Sequence, residues 1–375
     1  MTCYRWFARP FIFLLKLFYT VDKKTALGYN SIIMKLDFEQ IKSITLGAVN
    51  VVEQGEYVCF HRFTEEQEKL YNDPEKPRTI VALSKAKSLT SAGVKLRFKT
   101  DSKNLTICAR FSSGMNRRYY SMDVYCNNTP LGYISNLSNP PQPEELIGEI
   151  VTQEKTENFA LPNGENEICV YFPFSAITEI KEIAIDDGAF VVPVKPEKIL
   201  LAFGDSITHG YDAFRSADSY INRLADLIGY QLFNKAIGGE IFFPELALSK
   251  DDFTPDLITI AYGTNDWRNL TIDKIAQNCD AFLNNLTKIY PSTKIVVISP
   301  IWRQDMRVTM PGGDFCNVGK ALEKETKKYP NVRFVDGFGF VPQDPLLYAD
   351  RRLHPNDLGF SYYTKKLYGE IVKFL

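Results

Sequence analysis

The run Lys198-Ile199-Leu200-Leu201-Ala202-Phe203 leads straight into Gly204-Asp205-Ser206-Ile207-Thr208-His209-Gly210. Consecutive apolar residues of this length mark a strand buried on both faces of a parallel sheet. The glycine-flanked polar stretch behind it marks the turn from that strand into a helix. A serine at such a turn holds its hydroxyl in a cleft with backbone N–H groups beside it, which is what a nucleophilic serine requires. The competing reading of Ser206 is a helix N-cap.

Downstream the chain alternates between two periods. A helical stripe runs over 217–228 through Tyr220, Leu224, Leu227 and Ile228. Leu257–Ala261 is a second apolar strand. Thr271 is placed to cap a long amphipathic helix carrying Ile272, Ile275, Cys279, Phe282, Leu283, Leu286 and Ile289. Strands over 295–298 and 332–335, and helices over about 314–328 and 355–374, complete the series. Strands alternating with helices predict an α/β fold, a doubly wound parallel sheet in three α/β/α layers, with right-handed crossovers. Ligands bind beyond the carboxyl ends of such strands, so Ser206, Asn265 and the 300–302 region are expected along one edge.

The preceding residues follow a different rhythm. Val94–Thr100 and Leu105–Phe111 alternate apolar and polar on either side of a turn at Asp101–Asn104. Further short strands are expected over 119–125, 167–172 and 180–185, separated by breaks such as Leu161-Pro162-Asn163-Gly164. That pattern predicts an all-β sandwich, or jelly roll, over 35–195 ahead of an α/β domain over 196–375. Residues 1–34 read as a leader or mis-assigned start. Their apolar run is broken by Lys16 and falls short of the ~18–20 residues of a membrane span. A signal segment remains the alternative, with Arg5 and Arg9 ahead of the apolar run but no clear cleavage site behind it.

The 375 residues are 45% hydrophobic and 24% charged, as in soluble globular chains. A net charge of −1 gives no electrostatic reason to expect nucleic acid or an anionic membrane as partner. Seven scattered cysteines without a Cys-x-x-Cys pair suit a reducing compartment, so a cytoplasmic location is expected, with secretion as the alternative if 1–33 is a signal. Three isolated histidines lack metal-ligand spacing, and no phosphate-binding glycine loop occurs, so neither metal nor cofactor is expected. The oligomeric state is left open.

Three segments accompany Gly204–Gly210 in order: Asn234-Lys235-Ala236-Ile237-Gly238-Gly239, Gly263-Thr264-Asn265-Asp266, and Leu353-His354-Pro355-Asn356. Together they make the chain resemble the SGNH, or GDSL-type, hydrolases, over roughly residues 197–375. The resemblance implies an esterase with Ser206 as nucleophile and His354 as base. It also implies an oxyanion hole from the N–H groups of Ser206 and Gly239 and the side chain of Asn265. Gly239 is taken over Gly238 because the family's glycine lies five residues after the motif asparagine, with Gly238 as a turn residue. His61 is read as a strand residue. His209, Trp267 and Trp302 are candidates for the pocket wall, with a structural role as the alternative for each. Arg303 and Asp305, behind the same strand end, are read in the same two ways.

The acid departs from the pattern. The family places Asp three residues before the histidine, where this chain has Arg351, whose charge would oppose an imidazolium. Asp350, four residues before, orients the ring if a one-residue bulge brings it in. Otherwise a backbone carbonyl holds the imidazole, and Asp336 and Asp344 are remoter candidates. A sandwich ahead of the hydrolase domain is similar to two-domain carbohydrate esterases. That implies a short acyl ester as substrate, O-acetyl on a small molecule or oligosaccharide. The rival readings are a lipase or thioesterase for longer acyl chains, and a carbohydrate-binding protein with a degenerate hydrolase domain.

Overall fold

The computed structural model describes residues 33–72 and 84–375. Residues 1–32 lie outside these, and with them most of the leader reading and Cys3. Two antiparallel sheets precede one parallel sheet. In the first, Ala176–Asp186 pairs with Asn104–Ser113 on one side and Tyr57–His61 on the other. Ile33–Lys35 pairs with the end of Ala176–Asp186. In the second, Asn166–Tyr171 lies between Lys95–Thr100 and Ser121–Cys126. The turn at Asp101–Asn104 therefore carries the chain from one sheet to the other. Alternate residues of both sheets (Leu96, Phe98, Ile107, Phe111, Val124, Ile168, Ile183) meet in one buried core.

The parallel sheet runs Tyr230–Asn234, Lys198–Gly204, Leu257–Ala261, Lys294–Ile298, Val332–Val335, so the chain order is 2-1-3-4-5. Its inner strands are buried on both faces, and the edge strand Val332–Val335 is half-buried. Leu201, Phe203, Ile258, Ile260 and Val297 pack against Phe282, Leu286 and Leu322 from the helices Ile272–Ile289 and Cys316–Thr326. The alternate residues Leu200, Ala202, Leu257, Val296 and Ile298 pack against Leu224, Phe360 and Leu367 from Tyr220–Ile228 and Asp357–Ile371. Thr271 caps the Ile272–Ile289 helix as expected, its side chain accepting the N–H of Lys274. The strand Tyr230–Asn234 is an addition to the sequence reading.

The antiparallel region grips this edge strand. Arg62, wholly buried, donates to four backbone carbonyls: Thr90 (2.7 Å), Lys87 (2.8 Å), Asn234 (2.6 Å) and Ala236 (3.2 Å). A Cβ on Gly93 would stand 2.7 Å from the Cβ of Asn234, so only glycine lets the two segments close. The segment leading to Gly238 and Gly239 is thereby fixed from outside the parallel sheet. Lys198–Gly204 pairs with both the second and the third strand of the chain order, so the sheet reverses direction of growth at its carboxyl end. Crevices form at such a switch point, and Ser206 lies there.

Candidate active site

Ser206 opens the one-turn helix Ser206–His209, which Gly210 ends in a left-handed conformation. The N-cap is Asp205, whose carboxylate accepts the N–H of Ile207 at 2.9 Å, so Ser206 is free of the capping role. Its Oγ lies 2.8 Å from His354 Nε2.

His354 is presented by a loop closed through the pairing of Tyr348 with Pro355. Arg351 adopts φ +57°, a left-handed turn that absorbs the additional residue. Asp350 Oδ1 then accepts the N–H groups of Arg352 (2.9 Å), Leu353 (2.7 Å) and His354 (3.0 Å). Its Oδ2 lies 2.9 Å from His354 Nδ1. Arg351 lines a separate cavity with Pro140, Pro141 and Phe214, so the expected conflict between its charge and the imidazolium does not arise. Asp336 instead accepts from Ser299, and Asp344 caps a short turn.

A second carboxylate reaches the same nitrogen. Asp212 Oδ2 is 3.3 Å from His354 Nδ1. Asp212 is fully buried and held by Arg117, Nε to Oδ1 at 2.6 Å and Nη2 to Oδ2 at 3.1 Å. Burial disfavours charge on the imidazole, but the hydrogen bonds and charges of Asp212 and Asp350 outweigh it and raise His354 to about 9. Burial likewise opposes ionisation of Asp350 and Asp212. His354 together with backbone N–H groups for the first, and with Arg117 for the second, holds both below the ordinary carboxylate value. Asp212, Asp350 and His354 bring ligand-type atoms within 4.8 Å of one another, a grouping the sequence spacing did not suggest. Those atoms are taken up by Arg117, by backbone N–H groups and by one another.

The N–H of Ser206, at the first helical position, has no intrahelical acceptor. That of Gly239 donates to no protein acceptor among the described residues. Gly239 has φ +89° and faces the cavity. Gly238 has a different reason to be glycine: a Cβ there would stand 2.3 Å from Tyr211 Oη. One N–H of the Asn265 amide donates to Glu240 O at 2.9 Å, which fixes the side chain. Lys87 Nζ donates to Gly238 O at 2.5 Å, and burial lowers its ammonium to about 8.

Ser206, His354, Asp350, Gly239 and Asn265 all line one cavity of about 440 Å³. Lys87, Arg117 and Ile147 enter it from the antiparallel region. A larger cavity of about 630 Å³, around Tyr125, Tyr171 and Tyr368, contains none of these groups. The three pocket-wall candidates lie elsewhere. His209 is buried beneath the wall, with Nε2 on Thr90 Oγ1 (2.9 Å) and Phe174 O (3.1 Å), while Nδ1 accepts the N–H of Gly238. Burial holds its ring neutral, well below the usual histidine range. Trp267 is fully buried and donates to Gly313 O, and Trp302 packs on Tyr348 in the core. Arg303 is buried and paired with Asp305. His61 sits in the strand Tyr57–His61 and pairs with Glu68. Sequence reading missed Asp212, whose one signal was its place six residues after Ser206. It also missed Arg117 and Lys87, for which the sequence carried no signal.

Comparison with known proteins matches the model of the GDSL-like Lipase/Acylhydrolase family to residues 202–361. No curated protein matches the chain. Among solved structures, a salicylyl-acyltransferase from a tetracycline biosynthetic pathway superposes with a TM-score of 0.72 at 18% identity, over 88% of this chain and 94% of that one. A GDSL-lipase-like protein from Bacteroides ovatus gives 0.68 at 20% identity over 91% and 97%. A family two carbohydrate esterase from Clostridium thermocellum, in complex with cellohexaose, gives 0.57 at 15% identity over 75% and 92%. At these identities the likenesses speak for the shared fold. Residues 202–361 therefore form a GDSL-like lipase/acylhydrolase domain, and the chain is a carboxylic ester hydrolase.

Proposed function

We propose that the protein is a serine esterase that removes short acyl groups, O-acetyl first among them, from carbohydrate. The observation that carries this reading is the 2.8 Å contact between Ser206 Oγ and His354 Nε2 in a cavity with unpaired backbone donors. Neutral His354 takes the proton of Ser206 as Oγ attacks the ester carbonyl. The tetrahedral oxyanion is met by the N–H groups of Ser206 and Gly239 and by the Asn265 amide. The imidazolium then protonates the departing alcohol, leaving an acyl-Ser206 ester. Water, deprotonated by His354, releases the acid and restores the serine. Asp350 and Asp212 hold Nδ1–H and keep Nε2 facing Ser206.

The carbohydrate half of the reading is supported by the character of the wall. Among the described residues, Lys87, Asn116, Arg117, Arg268 and Arg352 stand beside four aliphatic residues, Pro143, Leu146, Ile147 and Leu353, and the Tyr211 ring. A long acyl chain needs a continuous apolar groove, and among the described residues the charged side chains make up as much of this wall as the aliphatic ones. The two antiparallel sheets with one core support a sandwich over 35–195, and residues of that region (Lys87, Asn116, Arg117, Ile147) line the cavity where it would frame the substrate. The unpaired cysteines of the described residues support a cytoplasmic location.

The test measures acid release from p-nitrophenyl acetate, butyrate and octanoate and from acetylated oligosaccharides, with wild type, Ser206→Ala and His354→Ala. Acetate release by wild type, nearly abolished in both variants, is expected. Preferential release of octanoate returns the lipase reading. No release of any acid, with binding to the sugars intact, returns the degenerate one.

A further inference from the structure

Among the described residues, four cations face the cavity around Ser206: Lys87, Arg117, Arg268 and Arg352. Among the described residues its one lining carboxylate, Asp350, is already shared between His354 and three backbone N–H groups. The cations are unequally partnered. Arg117 is bound on two sides by Asp212. Lys87 holds, among the described residues, only the carbonyl of Gly238. Arg352 touches Asp305 at 3.4 Å, a carboxylate that Arg303 grips more closely at 2.5 and 2.9 Å. Arg268 has no hydrogen-bond or ion-pair partner among the described residues. The whole chain carries a net charge of −1, so this excess is local. Like charges gathered around a reaction centre repel one another, and a neutral ester does nothing to relieve that; an anionic one does.

We propose that the substrate is an anionic ester, an acyl group on an acidic sugar of the uronate type. This rests on the esterase reading of the same site and adds the charge of the substrate. The carboxylate lies on the alcohol half. The departing alcohol takes its proton from His354 Nε2, and Arg352 belongs to the same loop as His354. Arg117 stacks on the Tyr211 ring, 4.8 Å from its centroid, and that ring lies 5.5 Å from the imidazole.

The experiment compares kcat/KM for an O-acetylated methyl glucuronoside with that for its uronamide, which has the same shape without the charge. The uronate is expected to lead by on the order of tenfold at low salt, with the lead shrinking in 0.5 M NaCl. Arg268→Gln and Arg352→Gln, at solvent-accessible side chains, each lower the uronate-to-uronamide ratio towards one at an unchanged melting temperature. Equal kcat/KM for the pair overturns the proposal. A parallel arm uses the hemisuccinate and butyrate esters of methyl glucoside, and a preference appearing only there overturns the assignment to the alcohol half. Binding of the first pair to Ser206→Ala, followed by calorimetry, is read apart from turnover. Tighter uronate binding without hydrolysis by wild type defeats the esterase reading and leaves the charge preference standing, whereas equal binding defeats the preference.

Discussion

Removing either acid at His354 is expected to have a limited effect, and removing both a large one. When a histidine loses its only orienting carboxylate, turnover falls by about 10⁴, or about 5.4 kcal/mol at 1.36 kcal/mol per decade. Here Asp350 and Asp212 stand 2.9 and 3.3 Å from the same Nδ1, so each alone still fixes the tautomer. Asp350→Asn and Asp212→Asn should each cost roughly 10- to 100-fold in kcat/KM on an acetyl ester, and the double variant about 10⁴. The pH profile gives a second readout. Turnover requires the neutral imidazole, so the wild-type profile climbs as pH rises through about 9. Each acid raises His354, and deleting either should move that limb down by about one unit or more. Asp212→Asn also leaves buried Arg117 without its carboxylate, at a cost of about 3–5 kcal/mol in stability. Adding Arg117→Gln should restore much of the melting temperature while the limb stays displaced. A 10⁴ loss from Asp350→Asn alone, or an Asp212→Asn limb that coincides with wild type, would refute the shared arrangement.

The adjacent glycines should respond differently to alanine. At Gly238 the added Cβ meets Tyr211 Oη at 2.3 Å and displaces the donor loop, for an expected loss of about 10² or more in kcat. At Gly239 the nearest atom is Lys87 Nζ at 3.6 Å, so Gly239→Ala bears mainly the roughly 1–2 kcal/mol of a left-handed backbone. Asn265→Ala should lower kcat by ~10²–10³ with little change in KM, as for loss of one oxyanion donor. His209→Gln should reduce kcat and thermal stability together and leave the pH limb in place, because the His209 ring is neutral throughout. Stability has its own pH signature. His354 is raised in the fold, so its ion pairs contribute fully below about 6.5 and fade as pH rises through about 9. Urea denaturation of wild type beside His354→Gln across that window should show the two curves converging.

The parts of the fold that were readable were those where burial imposes a pattern. The strands Lys198–Gly204, Leu257–Ala261 and Lys294–Ile298 are apolar over most of their length because helices cover both their faces, and the half-buried edge strand Val332–Val335 still keeps three apolar residues of four. Tyr230–Asn234 escaped because it is a short edge strand directly after Gly229, with polar Gln231 at its second position. Gln153–Ala160 escaped because it is an exposed edge whose charged residues carry no alternation. The serine, the histidine and two of the oxyanion groups stood out because each lies in a short block with a fixed local backbone. Asp350 was legible only as a candidate, since its reach depends on the left-handed turn at Arg351.

By itself the sequence determined which local segments carry the reacting groups, because strand ends, glycine turns and helix starts are written in neighbouring residues. Only the tertiary structure decided what surrounds those groups. Asp212 became a second partner of His354 because the loop behind Ser206 meets the loop that carries His354. Arg117 became the counter-ion of Asp212, and Lys87 a neighbour of Gly239, because segments of the region before residue 195 close over the same site. Such contacts join residues far apart in the chain, and their distances follow from how whole sheets and loops close on one another, which no local pattern encodes.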